Sequence, residues 1–203
     1  MKLYFTPGSP FARMPRIVVI ERALGARVKV VAAKTRQANS PYYKINPSGR
    51  VPYLVRDDGI GMEGAAVICA YLDRVKGKPA LSVPASADAW EARRLLASAH
   101  STLEGLAVWA RELRRPEHER SPTAIAHETA RAVRMSDMWE QWVEHQLLAG
   151  PLNIVQITLG CALGLEGRLS SFQWHAGHPK LYQWYSAVSR RPSFVATQPP
   201  SIV

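Results

Sequence analysis

The chain has 203 residues, 47% of them hydrophobic, and a formal net charge of +10. That length suits one large domain or two small ones with real cores. No unbroken apolar run approaches the roughly 20 residues needed to cross a bilayer, which excludes a helical membrane protein. Met1-Lys2-Leu3-Tyr4-Phe5-Thr6-Pro7 enters a strand pattern at once, without the apolar core and cleavage site of a signal peptide, so a cytoplasmic location is the default expectation. Cys69 and Cys161 both sit inside apolar helical patterns, as structural thiols do, and with no Cys-x-x-Cys pair a disulfide framework, a zinc site and a dithiol redox centre lack support. Residues 1–80 hold fourteen Lys/Arg against five Asp/Glu, so nearly all the excess charge lies in the first part of the chain. A solvated basic face explains this, and so does steering of an anionic ligand. The basic residues form no run and do not alternate with aromatics, which argues against nucleic acid.

In chain order, Leu3-Tyr4-Phe5 reads as a short buried strand, and Thr6-Pro7-Gly8-Ser9-Pro10 as a turn into a helix over 10–24 closed by Gly25. Pro10 would lie in the first helical turn, where its missing N–H costs little. Residues 27–31 alternate like a second strand. Residues 52–55 and 60–62 read as two more strands joined by Asp57-Asp58-Gly59, a hairpin turn. A helical pattern covers 65–75. Gly77-Lys78-Pro79 through Val83-Pro84 reads as a linker, bounded at 78–85. Beyond it the pattern is wholly helical: a long helix capped by Ser86 or Asp88 and running to about Arg115, a break at Pro116, and a second long helix bearing Met135, Met138, Trp139, Trp142 and Val143 as a core stripe. Asn153 caps the apolar helix 154–165, and Gln156, three residues on, is placed to return the bond as a capping box. A last helix is expected over 181–189. His175 and His178 precede it at metal-ligand spacing, but the local sequence offers no carboxylate or cysteine beside them, so no metal is expected.

The stretch Asn46-Pro47-Ser48-Gly49-Arg50-Val51-Pro52-Tyr53-Leu54, followed by Gly61-Met62-Glu63-Gly64-Ala65-Ala66-Val67-Ile68-Cys69-Ala70-Tyr71-Leu72-Asp73, resembles the glutathione-binding half of the glutathione S-transferase family. Glu112-Leu113-Arg114-Arg115-Pro116-Glu117, with Arg120-Ser121 after it, is similar to a bacterial subgroup, which extends the resemblance over nearly the whole chain. The resemblance implies an α/β thioredoxin-like domain over 1–77, a linker over 78–85 and an all-α domain over 86–203. It also implies a homodimer, glutathione as substrate, no metal, and conjugation of the tripeptide to a small electrophile, the detoxification chemistry of the family.

It further implies roles for particular residues. Ser9 stands at the first strand-to-helix turn, where serine-type members keep a serine. A helix N-terminus favours an anion such as a thiolate, and a serine there donates a hydrogen bond to the substrate's thiol where a cysteine would attack disulfides. The other reading of Ser9 is a plain helix cap. Val51-Pro52 resembles the family's cis-proline signature, which presents the Val51 N–H and C=O to glutathione as an added strand would. Arg50 occupies a basic position able to meet a carboxylate. At the acidic and serine positions that hold the γ-glutamyl end, this chain has Gly64 and Ala65, leaving the backbone of that helix start, with Glu63 as a possible substitute. The lost side-chain contacts would weaken glutathione by roughly ten- to a thousandfold. Phe11, beside Ser9, is grouped with the glutathione site and, with Trp109 and Arg111, with the second substrate. The omission of the acidic-serine pair motivates an alternative: a catalytically silent relative that binds another ligand or a protein partner.

Overall fold

A computed structural model describes residues 1–82, 89–169 and 172–200. Ser86, Asp88 and the end of the expected linker lie outside the described residues. In chain order the elements are β1 (Lys2–Phe5), α1 (Pro10–Glu21), β2 (Lys29–Ala32), a 3-10 turn (Pro41–Lys44), β3 (Tyr53–Val55), β4 (Gly61–Glu63), α2 (Ala65–Arg74), α3 (Ala89–Glu112), α4 (Pro122–Trp142), α5 (Gln146–Ala149), α6 (Ile154–Leu163), α7 (Pro179–Ser189) and α8 (Pro192–Ala196), with short 3-10 turns at Glu117–Glu119 and Glu166–Arg168. Among the described residues no helix is long and apolar enough to cross a membrane. The chain divides into two compact units: 1–82 together with 192–200, and the described part of 89–191.

The first unit is a thioredoxin-like βαβ–ββα arrangement. Its sheet has the order β2-β1-β3-β4, with β1 parallel to β2 and antiparallel to β3, and β3 antiparallel to β4. Leu3 and Leu54 face each other across the β1–β3 pair, both fully buried. The apolar side of α1, including Met14, Ile17 and Val18, closes over this core with Ile68 and Leu72 of α2. The helix expected to reach Leu24 ends three residues earlier, and Gly25 does not stop it. The N–H of Leu24 bonds the carbonyl of Val19 at 2.8 Å and the N–H of Ala23 that of Ile20 at 2.9 Å. This is a Schellman cap with Ala23 in the left-handed position, φ 49°. Burial of Leu24 anchors it.

The expectation of a helical domain continuing to the C-terminus also needs correction. Residues 192–200 return to the first unit, and their short helix α8 packs on α1. Arg13 is 4% exposed; its Nη2 donates to the carbonyl of Phe194 at 2.9 Å and its guanidinium lies over the Phe194 ring. Ser193 Oγ donates to Glu21 at 2.6 Å. Asp73, at the end of α2 and 1% exposed, fixes the chain beyond it: it accepts the N–H groups of Ala80, Leu81 and Ser82 and the Ser82 hydroxyl, and pairs with Arg22 at 3.1 Å.

The second unit is all helical. Every residue of α6 is buried, and its main neighbour is α3. Trp139 of α4, fully buried, donates from its indole to Thr102 of α3 at 2.9 Å. The cap of α6 is half as expected. Asn153 Oδ1 accepts the N–H groups of Val155 and Gln156, but Gln156 does not return the bond. Its amide donates to the carbonyls of Leu147, Gly150 and Pro151, because that buried turn leaves three acceptors pointing at it. The α7 helix begins at Pro179, two residues before the expected start.

Candidate functional site

The register brings three loops to one end of the sheet in the first unit. Tyr4, near the end of β1, pairs with Tyr53 at the start of β3, and Tyr53 pairs with Glu63 at the end of β4. The turn holding Ser9, the Val51–Pro52 segment and the start of α2 therefore all leave the sheet at that end.

Ser9 is the N-cap of α1. Its backbone is extended, and its Oγ accepts the N–H of Ala12 at 3.1 Å. Phe11, in the first turn of the same helix, is half-buried. Capping uses a lone pair of the hydroxyl and leaves its proton to be donated, so the two readings of Ser9 are compatible.

The peptide between Val51 and Pro52 is cis. Among the described residues nothing is hydrogen-bonded to the Val51 N–H or C=O. The turn ahead of it is held tightly. Asn46, 2% exposed, accepts the N–H of Ser48 and donates to the carbonyl of Arg50, which also accepts the Tyr42 hydroxyl. Burial raises the Tyr42 phenol above its ordinary pKa, a shift that the side-chain bond with Asn46 opposes. Gly49 has φ 67°, and a Cβ there would meet the Tyr43 ring at 2.8 Å, so this turn requires glycine. Arg50 is exposed.

At the start of α2, Gly64 takes φ 94° as the N-cap, and no side chain caps the helix. The glycine follows from the backbone, since φ of this kind strains any L side chain. Ala65 is half-buried. Glu63 is exposed and is already engaged: it accepts the Ser48 hydroxyl at 2.7 Å. The sequence stretch contained Ser48, Asn46 and Tyr42, but nothing in their spacing disclosed this network.

Of the residues expected at the second substrate, Trp109 and Arg111 belong to the second unit. Trp109 is 1% exposed, with its ring 5.2 Å from that of Phe172; Arg111 is exposed. The histidines differ from the sequence expectation in their surroundings, because folding supplies each with a carboxylate. His175 Nδ1 lies 2.8 Å from Glu166, and His178 Nε2 lies 2.9 Å from Asp137. Each is a pair, and among the described residues no group of three or more His, Cys, Asp or Glu gathers as a metal site.

Comparison with known proteins accords with this geometry. The family model of the glutathione S-transferase N-terminal domain matches residues 3–80. The uncharacterized GST-like protein YibF of Escherichia coli (strain K12) is 26% identical over 202 residues, 98% of this chain and 99% of that protein. A glutathione transferase family member from Pseudomonas fluorescens Pf-5, solved with bound glutathione, is 28% identical, with 98% of each chain covered and a TM-score of 0.87. A glutathione S-transferase from Methylobacillus flagellatus KT, solved with GSH bound, is 29% identical, covering 98% of this chain and 99% of that one, with a TM-score of 0.86.

Proposed function

The chain belongs to the glutathione S-transferase family, and from that premise we propose that it binds glutathione in its first unit and transfers the thiolate to a small electrophilic carbon. The observation that carries this reading is the hydroxyl of Ser9, which caps α1 through a lone pair and keeps its proton for a sulfur anion. The helix start adds partial positive charge at the same place. The tripeptide backbone would pair with the open N–H and C=O of Val51 beside cis-Pro52. Its carboxylates would meet the N–H groups at Gly64 and Ala65 and the side chain of Arg50. Phe11 would border the sulfur and the electrophile. A homodimeric, cytoplasmic enzyme of detoxification type completes the proposal, on the family resemblance.

The bare start of α2 favours a second reading, a catalytically silent binder of another ligand or a protein partner. Calorimetry with glutathione separates the two. Micromolar binding, together with conjugation of a generic aryl halide, supports the transferase; binding no tighter than millimolar supports the silent relative.

A further inference from the structure

Glu63 stands beside the two positions where the site lacks side chains, which invites the idea that it touches the ligand. The hydrogen bonds give it another job. Its carboxylate accepts the Ser48 hydroxyl at 2.7 Å, and the same Ser48 oxygen accepts the N–H of Arg50 at 3.2 Å. A hydroxyl has one proton, so a strong acceptor on one side settles its direction and leaves its lone pairs facing Arg50. Asn46 meanwhile holds Ser48 by its N–H and Arg50 by its carbonyl, with Tyr42 on that carbonyl as well. Both faces of the Arg50 residue are thereby fixed immediately before the open backbone of Val51. The relay crosses from the end of β4 to the loop, a separation of 15 residues, so it also ties the start of α2 to that loop.

We propose that Glu63 is a positioning residue: acting through Ser48, it orients the Arg50–Val51 backbone that receives the ligand, and it makes no contact with the ligand itself. This rests on the reading of the first unit as a glutathione site. Because the role needs only an acceptor, glutamine fulfils it and alanine does not. A carboxylate that bound the ligand's ammonium would behave in the opposite way, since glutamine would lose the charge.

The test is glutathione calorimetry on wild type, Glu63→Ala, Glu63→Gln, Ser48→Ala and the Ser48→Ala/Glu63→Ala double variant, with amide hydrogen exchange of each protein free of ligand. Positioning predicts that the two alanine variants each weaken binding by about three- to tenfold, that the double variant is no weaker than either, and that Glu63→Gln stays near wild type. Exchange at the Arg50 amide should quicken in the alanine variants and remain slow in Glu63→Gln. If Glu63→Gln is as weak as Glu63→Ala while Ser48→Ala binds normally, Glu63 acts on the ligand by charge and the proposal is overturned. Unchanged Arg50 exchange in both alanine variants overturns it too. Wild type that binds no glutathione removes the site reading and the ligand half of the proposal, and the exchange data then show whether the relay orders the loop at all.

Discussion

The guanidinium of Arg13 crosses 181 positions of sequence to donate to the carbonyl of Phe194, and both residues are buried within the first unit. Its other contacts are the Thr197 hydroxyl at 3.4 Å and the Phe194 ring. A carbonyl at the end of a short helix gains a charge-assisted donor it would otherwise lack. Replacing Arg13 by Met keeps the apolar stem and strands that acceptor. The variant should lose about 1.5–3 kcal/mol, read as a lower urea midpoint for the transition of the first unit. An unchanged midpoint would mean that α8 is held by its apolar side chains alone.

Ser9 combines two tasks that substitutions can separate. Ser9→Ala removes both the cap and the donor, so stability should fall by about 1 kcal/mol and conjugation should slow. Ser9→Asp keeps an acceptor for the Ala12 N–H but has no proton to give at neutral pH and adds a negative charge beside the sulfur. Its melting temperature should stay near wild type while the rate falls at least as far as in Ser9→Ala. Equal rates in all three proteins would take Ser9 out of the chemistry.

The two bare positions at the start of α2 should respond differently to repair. Ala65 is the first residue of an ordinary helix, so Ala65→Ser adds a hydroxyl without backbone cost and should tighten glutathione by about fivefold, near 1 kcal/mol. Gly64 has φ 94°, and a glutamate there would have to hold a left-handed backbone, at a cost of roughly 1–2 kcal/mol. Titration calorimetry on Ala65→Ser and Gly64→Glu checks this. A Gly64→Glu protein as stable as wild type and tighter in binding would refute the backbone argument.

Asp73 sets an acid limit. Burial by itself would raise its pKa, but the bonds from Ala80, Ser82 and Leu81 outweigh burial and hold the carboxyl below its ordinary value. A depressed folded pKa means that the unfolded chain takes up the proton first. The stabilisation is therefore complete above the unfolded pKa of about 3.9 and is lost as pH falls through the folded one. Asp73→Asn should cost about 2–4 kcal/mol at neutral pH and flatten the decline in stability below about pH 4, seen in urea melts across pH 2.5–7.

His178 works in the other direction. Its Nδ1 faces the carbonyl of Trp174 at 2.7 Å and its Nε2 faces Asp137 at 2.9 Å, two acceptors that favour the doubly protonated, charged ring. Burial lowers its pKa, but Asp137 and the Trp174 carbonyl more than offset that and leave it raised. The stabilisation is then fully present below about pH 6.5, the unfolded value, and disappears as pH rises through the folded pKa. Asp137 is 59% exposed, so the effect is modest. Asp137→Asn should remove about 0.5–1 kcal/mol at pH 6 and nearly nothing at pH 9. Thermal melts at the two pH values test this, and equal losses at both would refute it.

The apolar periods and the punctuation by Pro and Gly were enough to place most elements, because these signals depend on neighbours within one or two turns. The Gly49-Arg50-Val51-Pro52 motif likewise located the cis bond and the family. Errors gathered where a side chain had to choose a distant partner. Gln156 stands at capping-box spacing from Asn153, yet three stranded carbonyls of the preceding turn draw its amide away. Local pattern determined the two-part architecture, the α2 start without side chains and the serine at the cap of α1. Tertiary structure alone decided that α8 belongs on α1 through Arg13, that His175 and His178 each find a carboxylate, and that Glu63 turns to Ser48. Those partners lie up to 181 residues apart, and only the path of the folded backbone determines which donor meets which acceptor.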